Sequence, residues 1–394
     1  MDTLRILGRR KILFNEDLIE FDKHITQIVQ SSSFLVIGGG GSIGQAVTKE
    51  LFARNARLLH IVDLNENYLV ELVRDIRSDL GYKTKNFDTF AIDCGAPEFE
   101  QFFNRYKYDY VLNLSAMKHV RSENDPFSMY RMLKVNIFNT LYTYELAKNA
   151  GAHKYFCVST DKAANPFNFM GATKRAMEIA LMRPSNSLPM SGARFANVAF
   201  SNGSLLDGFK HRLQKRQPLS VPSDVSRFFV TSEEAGIICL FSAILGEKYE
   251  ILFPYSDTEI SLRNFVDTAK SFLRETDREG VICRSEDEAR NIIKEIDLDK
   301  YWPINIFSTD TVGEKPFEEF YTDTEKLCYG KFKELASVYF KSEIDDDKIN
   351  TFKRNIESVD LTMSDAKLRL VSHLTDFVPT FNHLYSAKSL NMRM

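Results

Sequence analysis

The stretch VIGGGGSIG, residues 36–44, decides the fold because it joins a short apolar run to a helical pattern. The run Phe34–Ile37 predicts a buried strand, and apolar residues recur at helical spacing after the glycines. Gly38, Gly41 and Gly44 have GxxGxxG spacing, and a strand, a glycine turn and a helix in this order begin a βαβ unit. Such a backbone can approach a pyrophosphate closely while the helix N-terminus offsets its charge. The stretch therefore predicts a dinucleotide-binding turn, with a tight connection that binds nothing as the alternative.

Two aspartates that follow later apolar runs are candidates for contacts with the adenosine half of a dinucleotide. Asp63 follows the run Leu58–Val62 and stands 19 positions (63 − 44) after Gly44. A carboxylate there can accept from both ribose hydroxyls and would repel a 2′-phosphate, so NAD is favoured over NADP. A helix N-cap before Asn65 is the alternative for Asp63. Asp93 is placed to accept from the adenine amino group, with a turn aspartate as its alternative.

Strand-like runs alternate with helical patterns over about the first 200 residues, which predicts an α/β protein with a doubly wound parallel sheet. After Ser201 the alternation loosens, as expected for a smaller lobe. The strands predicted beyond the second are Thr89–Ile92, Tyr110–Leu114, Lys154–Val158 and Met190–Phe195. The predicted division is a helical lead-in (1–30), a dinucleotide-binding domain with the catalytic residues (31–201), a substrate-binding lobe (202–330) and a helical C-terminal extension (331–394).

The composition excludes several classes of protein. The 394 residues include 51 Lys and Arg against 54 Asp and Glu, and the formal charge of −3 argues against a dedicated nucleic-acid binder. Five scattered cysteines without CxxC pairs argue against a disulfide framework or a zinc site, so no bound metal is expected. The longest nearly uncharged apolar stretch, Gly236–Gly246, is far short of the ~20 residues that span a bilayer, and no signal-peptide core is present. We therefore expect a cytoplasmic protein without a membrane or nucleic-acid partner.

The densest group of polar residues is STDKAANPFNFMGATKR, residues 159–175, which begins where a predicted strand ends. Open α/β sheets bind their ligands at this end of the strands. Asp161 beside Lys162 offers an acid and a base, and Met170 and Lys174 share one face of a helix. The alternatives are a surface ion pair for the first two, a core methionine and a solvated lysine.

This stretch resembles the extended short-chain dehydrogenase/reductase family, and within it the UDP-N-acetylglucosamine 4,6-dehydratases of bacterial polysaccharide biosynthesis. Thr160, Asp161 and Lys162 match the Thr-Asp-Lys of those dehydratases, while the family's YxxxK pair is Met170 and Lys174 here. A Met at this position resembles the branch that feeds bacillosamine and legionaminic acid, and we expect a short cytosolic form of it. The resemblance implies a Rossmann-type doubly wound parallel sheet with a smaller C-terminal α/β substrate lobe. Further matching blocks, in family order, are NLSAMKHVRSENDP (113–126), KVNIFNT (134–140), RFANVAFSNGS (194–204), SRFFVT (226–231) and GEKPFEEF (313–320).

The resemblance also implies a reaction, in which hydride moves from C4 of the sugar to NAD⁺, water leaves across C5 and C6, and the hydride returns to C6. Asp161 would be the acid for water loss, Lys162 the base at C5, and Lys174 a ligand of the nicotinamide ribose. A thioether cannot carry a proton, so Asp161, or Thr160 through a relay, would assist oxidation at C4 in place of the tyrosine that Met170 replaces. Retention at C5 is expected.

Three alternatives remain open at this point. The first is a C5-inverting dehydratase that acts on the same substrate. The second is a nucleotide-sugar 4-epimerase or simple reductase, which would need a tyrosine at 170 and would have no use for Asp161 and Lys162. The third is a cofactor-sensing regulator, which would predict decay of the chemical residues throughout, whereas Thr160, Asp161, Lys162 and Lys174 are all present.

The predicted ligands of the two small molecules complete the list of expectations. Arg227 is expected on the diphosphate, with a salt bridge at a strand edge as the alternative, and His119 is expected to be structural and not catalytic. A homo-oligomer, a dimer or larger, is expected. The predicted cofactor contacts are Gly38, Gly41, Ser42, Ile43, Gly44, Asp63, Asp93, Cys94, Ser115, Ala116 and Lys174. The predicted contacts with the UDP-sugar substrate are Lys118, His119, Asn197, Arg227 and Glu314.

Overall fold

The computed structural model describes residues 1–255, 262–309, 315, 317 and 319–383. Its strands are β1 (Ser33–Ile37), β2 (Leu58–Asp63), β3 (Phe87–Ala91), β4 (Tyr110–Asn113), β5 (Lys154–Val158), β6 (Met190–Ala193), β7 (Asn197–Val198), β8 (Leu219–Pro222), β9 (Ser226–Arg227), β10 (Phe229–Val230), β11 (Glu250–Pro254), β12 (Arg263–Asn264), β13 (Glu279–Cys283), β14 (Tyr301–Phe307), β15 (Lys326–Cys328) and β16 (Leu335–Tyr339).

The α-helices are α1 (Thr3–Ile6), α2 (Asn15–Ser31), α3 (Ser42–Ala53), α4 (Glu66–Asp79), α5 (Pro97–Asn104), α6 (Pro126–Leu133), α7 (Asn139–Asn149), α8 (Phe169–Leu181), α9 (Leu205–Gln214), α10 (Ser232–Leu245), α11 (Phe265–Arg274), α12 (Glu286–Ile292), α13 (Asp346–Glu357) and α14 (Ala366–Phe377). None of these helices, nor any other within the described residues, is both long enough and apolar enough to cross a membrane.

The central sheet has the strand order that places a ligand site between β1 and β4. Within the described residues it contains nine strands in the order β15-β16-β11-β6-β5-β4-β1-β2-β3. The pairs from β3 to β11 are parallel, while β16 pairs antiparallel with both β11 and β15. The chain crosses from one side of β1 to the other after β3, which opens a crevice at the carboxyl ends of β1 and β4. The prediction of a Rossmann-type doubly wound sheet is confirmed.

The sheet is buried on both faces, which explains the nearly continuous apolar runs in its strands. In β1, Phe34 and Val36 point to a core shared with α2, α3 and α10. Leu35 and Ile37, on the opposite face, belong to a second core with α5, α7 and α8. All five residues of β1 and of β5 are buried. Helix α8, which carries Met170 and Lys174, is thus held against the strands that end at the crevice.

The C-terminal half differs from the predicted division in two respects. Strand β11, from the predicted substrate lobe, pairs with β6 and so belongs to the central sheet. Strand β16 lies in the segment 331–394, which was expected to be helical, and it buries Leu335, Ala336 and Val338 against the sheet. The short apolar run LASVY is flanked by charged residues, and those charges concealed it as a strand. Helices α13 and α14 do follow, and they pack on α6 and α8 in a separate apolar cluster.

A smaller lobe forms around a parallel three-stranded sheet, β13-β14-β8. Helix α11 covers this sheet, and Phe265, Phe272 and Leu273 lie in its core together with Trp302. The short pairs β7–β10 and β9–β12 connect this lobe to the end of the central sheet. The lobe therefore lies beside the carboxyl ends of the central strands.

We expect Gly38→Ala to destabilise the fold far more than Gly81→Ala, although both glycines have positive φ. Gly38 has φ of +77° and a methyl group there would lie 2.5 Å from the backbone nitrogen of Ser115, whereas Gly81 has φ of +70° and open space around it. The left-handed conformation alone costs about 1–2 kcal/mol, and the clash at Gly38 should raise the loss to about 3 kcal/mol or more. Urea denaturation of both variants measures the difference. Equal losses would show that the close approach to Ser115 has no energetic weight.

Candidate active site

A cavity of about 390 Å³ lies at the crevice between β1 and β4. Its walls are the glycine turn before α3, the loop that follows β4, and a turn that precedes α9. Five predicted ligand residues line it: Gly41, Ser42, Ala116, Lys118 and His119. Five other lining residues were not predicted as ligands: Tyr68, Met117, Ser122, Asn202 and Gly203. The last four lie in the family-matching blocks 113–126 and 194–204, which could have revealed them, whereas nothing in its local sequence marks Tyr68.

The glycine turn has the shape of a phosphate cradle. Gly41 is the N-cap of α3 with φ of −70° and ψ of 163°, a conformation that any residue adopts, and a methyl group there would come no closer than 3.5 Å to the rest of the protein. The protein itself therefore does not require glycine at 41, and its absent side chain leaves room in front of the α3 N-terminus. Gly44 is different, because a side chain there would collide with the carbonyl of Gly38. Ser42 accepts a hydrogen bond from Asn202 N at 2.9 Å, and Ile43 packs against the apolar core.

Asp63 lies beside this turn, where the prediction placed it. Its carboxylate accepts hydrogen bonds from Gly40 N at 2.9 Å and Asn65 N at 2.8 Å. Asn65 and not Asp63 caps α4, since the Asn65 side chain accepts from Tyr68 N at 3.1 Å. The N-cap alternative for Asp63 therefore does not hold. Its half-buried carboxylate faces the glycine turn in a position suited to a ribose.

The residues predicted around the adenine have their own hydrogen bonds. Asp93 accepts from Gly95 N at 2.9 Å, as in the turn alternative, and lies 3.4 Å from the Arg131 guanidinium. Cys94 is buried 4.0 Å from the Ser115 hydroxyl, and burial raises the pKa of its thiol to about 11. Ser115 in turn donates to Asn113 Oδ1 at 2.7 Å. The thiol is therefore protonated at neutral pH and acts as an apolar wall.

Thr160, Asp161 and Lys162 form a compact hydrogen-bonded group at the carboxyl end of β5. The Thr160 hydroxyl donates to Asp161 Oδ1 at 2.8 Å. The same oxygen accepts from Lys162 N at 2.8 Å and lies 3.3 Å from Lys162 Nζ. Asp161 is 3% exposed and the Lys162 side chain is 18% exposed. The ion pair of the alternative interpretation therefore exists, but it does not lie on the surface. A hydroxyl, a carboxylate and an amine are thus joined through one oxygen atom.

The two residues singled out on α8 have different surroundings. Lys174 is buried, and its ammonium donates to the carbonyl of Val158 at 3.1 Å. Burial lowers the pKa of Lys174, and the solvated alternative is wrong. Met170 is 4% exposed and belongs to the apolar cluster formed with α6 and α14, which is the core alternative. Met170 therefore contributes apolar packing.

The predicted substrate residues divide into two groups. Lys118 and His119 line the cavity; Lys118 Nζ lies 3.4 Å from Ser201 Oγ, and burial lowers its pKa. His119 lies against Gly203, where a methyl group would come within 2.9 Å of the imidazole.

Two other predicted substrate residues, Arg227 and Asn197, do not line the described cavity. Arg227 is buried in β9 and donates to the carbonyls of Ser226 and Lys315, each at 2.9 Å. Asn197 is half-buried in β7, opposite Phe229 of β10. Glu314 lies outside the described residues. The lysine and the histidine are thus the predicted substrate residues that the structure brings to the cavity wall.

Sequence reasoning missed a buried ion cluster behind the carboxyl end of β5. It consists of Arg175, Glu178, Arg194 and Glu325, all less than 11% exposed at their side chains. Arg194 donates to both oxygens of Glu178 at 2.8 and 2.7 Å and to both oxygens of Glu325 at 2.8 and 2.9 Å. Arg175 donates to each glutamate at 2.9 Å. A charged residue inside the apolar run of β6 and its continuation was the signal that could have revealed it.

One further hydrogen bond connects this ion cluster to the segment that carries Thr160, Asp161 and Lys162. Ser159, directly before Thr160, donates to Glu178 Oε1 at 2.6 Å. The two arginines hold the pKa of Glu178 at about 2, although burial alone would raise it. The two positive and two negative charges of the cluster balance. Its hydrogen bonds hold the end of β5, the middle of α8 and the segment before β15 together.

Arg194→Met should destabilise the protein by about 3–5 kcal/mol, because two buried carboxylates would then share Arg175 alone. Urea denaturation gives the free energy of unfolding. Arg105→Met, on the exposed Arg105, is the matched control and should change it by less than about 0.5 kcal/mol. A loss in Arg194→Met no larger than in the control would mean that the cluster is not a stabilising element.

The chain is similar to several known proteins. The family model described as "Polysaccharide biosynthesis protein" matches residues 34–338. The capsular polysaccharide biosynthesis protein CapD of Staphylococcus aureus is 26% identical over 354 residues, which cover 87% of this chain and 55% of the relative. An inverting UDP-N-acetylglucosamine 4,6-dehydratase of Campylobacter jejuni is 27% identical over 222 residues, 51% of this chain and 60% of the relative. A UDP-glucose 4-epimerase of Rickettsia prowazekii is 24% identical over 226 residues, 56% of this chain and 64% of the relative.

The fold has solved counterparts as well. The X-ray structure of Pen from Bacillus thuringiensis superimposes with a TM-score of 0.62 at 21% identity and covers 80% of this chain and 89% of that one. The chain spans between about half and two thirds of the length of the curated relatives described above. Since the family model runs from the first strand of the central sheet into the last, the chain belongs to the polysaccharide biosynthesis protein family.

Proposed function

We propose that the protein catalyses the NAD-dependent 4,6-dehydration of UDP-N-acetylglucosamine to UDP-2-acetamido-2,6-dideoxy-4-keto-hexose, for the synthesis of a bacterial surface glycan or a nonulosonic acid. The observation that carries the proposal is the buried Thr160–Asp161–Lys162 group at the end of β5. Dehydration needs an acid for the leaving hydroxyl and a base for the neighbouring carbon, and this group contains both. The likeness to the Campylobacter dehydratase supports the same reaction class.

The glycine turn and Asp63 fit a bound NAD. Gly41 leaves space before the N-terminus of α3 for the pyrophosphate, and Asp63 lies beside it for the adenosine ribose. Bound NAD⁺ would accept a hydride from C4 of the sugar and return it to C6. Lys174 donates to the carbonyl of Val158 at 3.1 Å and to Met177 Sδ at 3.8 Å, and its ammonium has a third donor for the nicotinamide ribose.

Thr160 and Asp161 replace the missing tyrosine during oxidation at C4. The Thr160 hydroxyl receives the proton of the sugar 4-hydroxyl and passes its own to Asp161 Oδ1, 2.8 Å away. The proton therefore ends on a buried carboxylate. Oxidation at C4 thus leaves Asp161 as a carboxylic acid, which is the form that the next step needs.

Asp161 and Lys162 then remove water. The Asp161 acid protonates the departing 6-hydroxyl, while neutral Lys162 takes the proton from C5. Protonation of Asp161 also removes the negative charge 3.3 Å from Lys162 Nζ, which favours the neutral amine. After hydride reaches C6, Lys162 returns its proton to C5, and the net change is loss of one water.

Purified protein with UDP-N-acetylglucosamine and no added reductant should yield the 4-keto-6-deoxy sugar nucleotide, read by NMR. Asp161→Asn should lower kcat by about 100-fold or more, since one carboxylate serves two proton transfers. Asp299→Asn, in the exposed part of the small lobe, is the matched control and should keep full turnover. Unchanged substrate would refute the proposal, and formation of the galacto epimer would establish a 4-epimerase instead.

The same reaction in D₂O tests the expected retention at C5. The coupling pattern at C5 distinguishes the gluco from the inverted configuration of the product. Inversion at C5 would be the same stereochemical outcome as that of the inverting Campylobacter relative. A homo-oligomer and a cytoplasmic location stay predictions.

Gly41→Ala should leave the free energy of unfolding within about 1 kcal/mol of the wild type but weaken NAD binding about tenfold or more. A methyl group at 41 meets nothing closer than 3.5 Å in the protein and lies where the pyrophosphate would approach. Calorimetric titration of the cofactor-free protein with NAD⁺ measures the affinity. Unchanged affinity would remove the glycine turn from cofactor binding, and tighter binding of NADP than of NAD would contradict the role of Asp63.

A further inference from the structure

The loop after β4 is attached at both ends to α8, the helix that carries Lys174. Near its start, Met117 exchanges two backbone hydrogen bonds with the Asn136 side chain, at 2.9 and 3.0 Å. Asn136 also donates to Thr173 Oγ1 at 2.9 Å, one residue before Lys174. This attachment fixes only the first residues of the loop.

The second attachment is Glu123, in the 3₁₀ turn Val120–Asn124. Its carboxylate accepts from Met170 N at 3.1 Å and from the backbone N–H of Phe169. Asn168, the N-cap of α8, accepts from Gly171 N at 2.8 Å. The first three N–H groups of α8 are therefore all satisfied by side chains, two of them by a residue from another element.

The Glu123 carboxyl is held at the N-terminus of α8, where its pKa is raised overall. Burial raises the pKa of its carboxyl, while the two amide bonds and the nearby Lys367 of α14 act in the opposite direction. The positive end of the helix dipole stabilises the ionised form. Because two helix amides engage the carboxylate, its geometry points to a structural role toward the site.

Between the two attachments lie the residues that line the cavity. Lys118, His119 and Ser122 all contribute to its wall, and Ser122 immediately precedes Glu123. Ser122 N also donates to the carbonyl of His119 at 3.1 Å, so the loop is compact. Movement at Glu123 would therefore shift Lys118 and His119 relative to Lys174.

We propose that Glu123 is a positioning residue that fixes the Lys118–Asn124 loop against the first turn of α8 and thereby sets the substrate-binding wall. The assignment of that wall to the sugar nucleotide rests on the proposed function. Glu123 acts through the loop, because its carboxylate is engaged by the helix amides. Its loss should weaken substrate binding more than it slows the chemical steps.

Glu123→Ala and Glu123→Gln, made in the NAD-loaded full chain, test this. For Glu123→Ala we expect KM and the calorimetric Kd for UDP-N-acetylglucosamine to rise about tenfold or more with kcat within about threefold, because charge-assisted hydrogen bonds are lost. Glu123→Gln should recover part of the affinity, since its amide oxygen can still accept from one N–H. Hydrogen exchange should accelerate in peptides that contain Phe169 and Met170.

Glu98→Gln is the matched control, because Glu98 is an exposed acid in the first turn of α5. It should change neither substrate affinity nor exchange in α8. A fall in the unfolding temperature of Glu123→Ala with unchanged KM and Kd would reduce Glu123 to a helix cap and overturn the proposal. So would a hundredfold fall in kcat at unchanged KM, which would make Glu123 a proton carrier. If the wild type binds the sugar nucleotide without converting it, the proposed function fails, while Kd and exchange still decide the role of Glu123.

Discussion

The buried pairing of Arg194 with Glu178 and Glu325 is the interaction on which the rest of the site depends. Together with Arg175 these residues form a cluster of four buried charges. Their burial is tolerable only because each charge is paired through short, well-directed hydrogen bonds. The requirement for such geometry fixes where β6, α8 and the segment before β15 can lie. Through Ser159 it also sets the end of β5, and with it the oxygen of Asp161 that Thr160 and Lys162 share. The proposed catalytic group, formed by adjacent residues, is thus oriented by charges one layer behind it.

The exchange of tyrosine for Met170 is consistent with the packing around it. The family model ends at residue 338, and α13 and α14 lie beyond it, against α6 and α8. Met170 shares that apolar cluster, where a phenol would need a polar partner for its hydroxyl. The C-terminal segment also reaches the catalytic loop, since Asn382 N donates to the carbonyl of Pro166 at 3.3 Å. The proton chemistry proposed for Thr160 and Asp161 therefore requires nothing from position 170.

Much of the fold was readable from the sequence because buried parallel strands produce uninterrupted apolar runs. The strand at Lys154–Val158 was predicted to the residue, and the glycine turn, Asp63 and the residues at the end of β5 were predicted from local spacing. What failed depends on contacts between distant parts of the chain. Strand β16 is short and flanked by charged residues. Tyr68 and Asn202 line the cavity only because the tertiary fold brings them there. Glu325 accepts from Arg194 although the two residues are 131 positions apart in the chain. Arg227 and Asn197 follow a family pattern, but they do not line the described cavity.

In the proposed reaction, hydride moves from C4 to C6 of the same sugar by way of one bound NAD, while Asp161 and Lys162 move the protons. UDP-N-acetylglucosamine deuterated at C4, converted in ordinary water and read by NMR and mass spectrometry, tests it most directly. The deuterium should appear in the new C6 methyl group of the product. Deuterium that remains at C4, or that is lost to solvent, would contradict it.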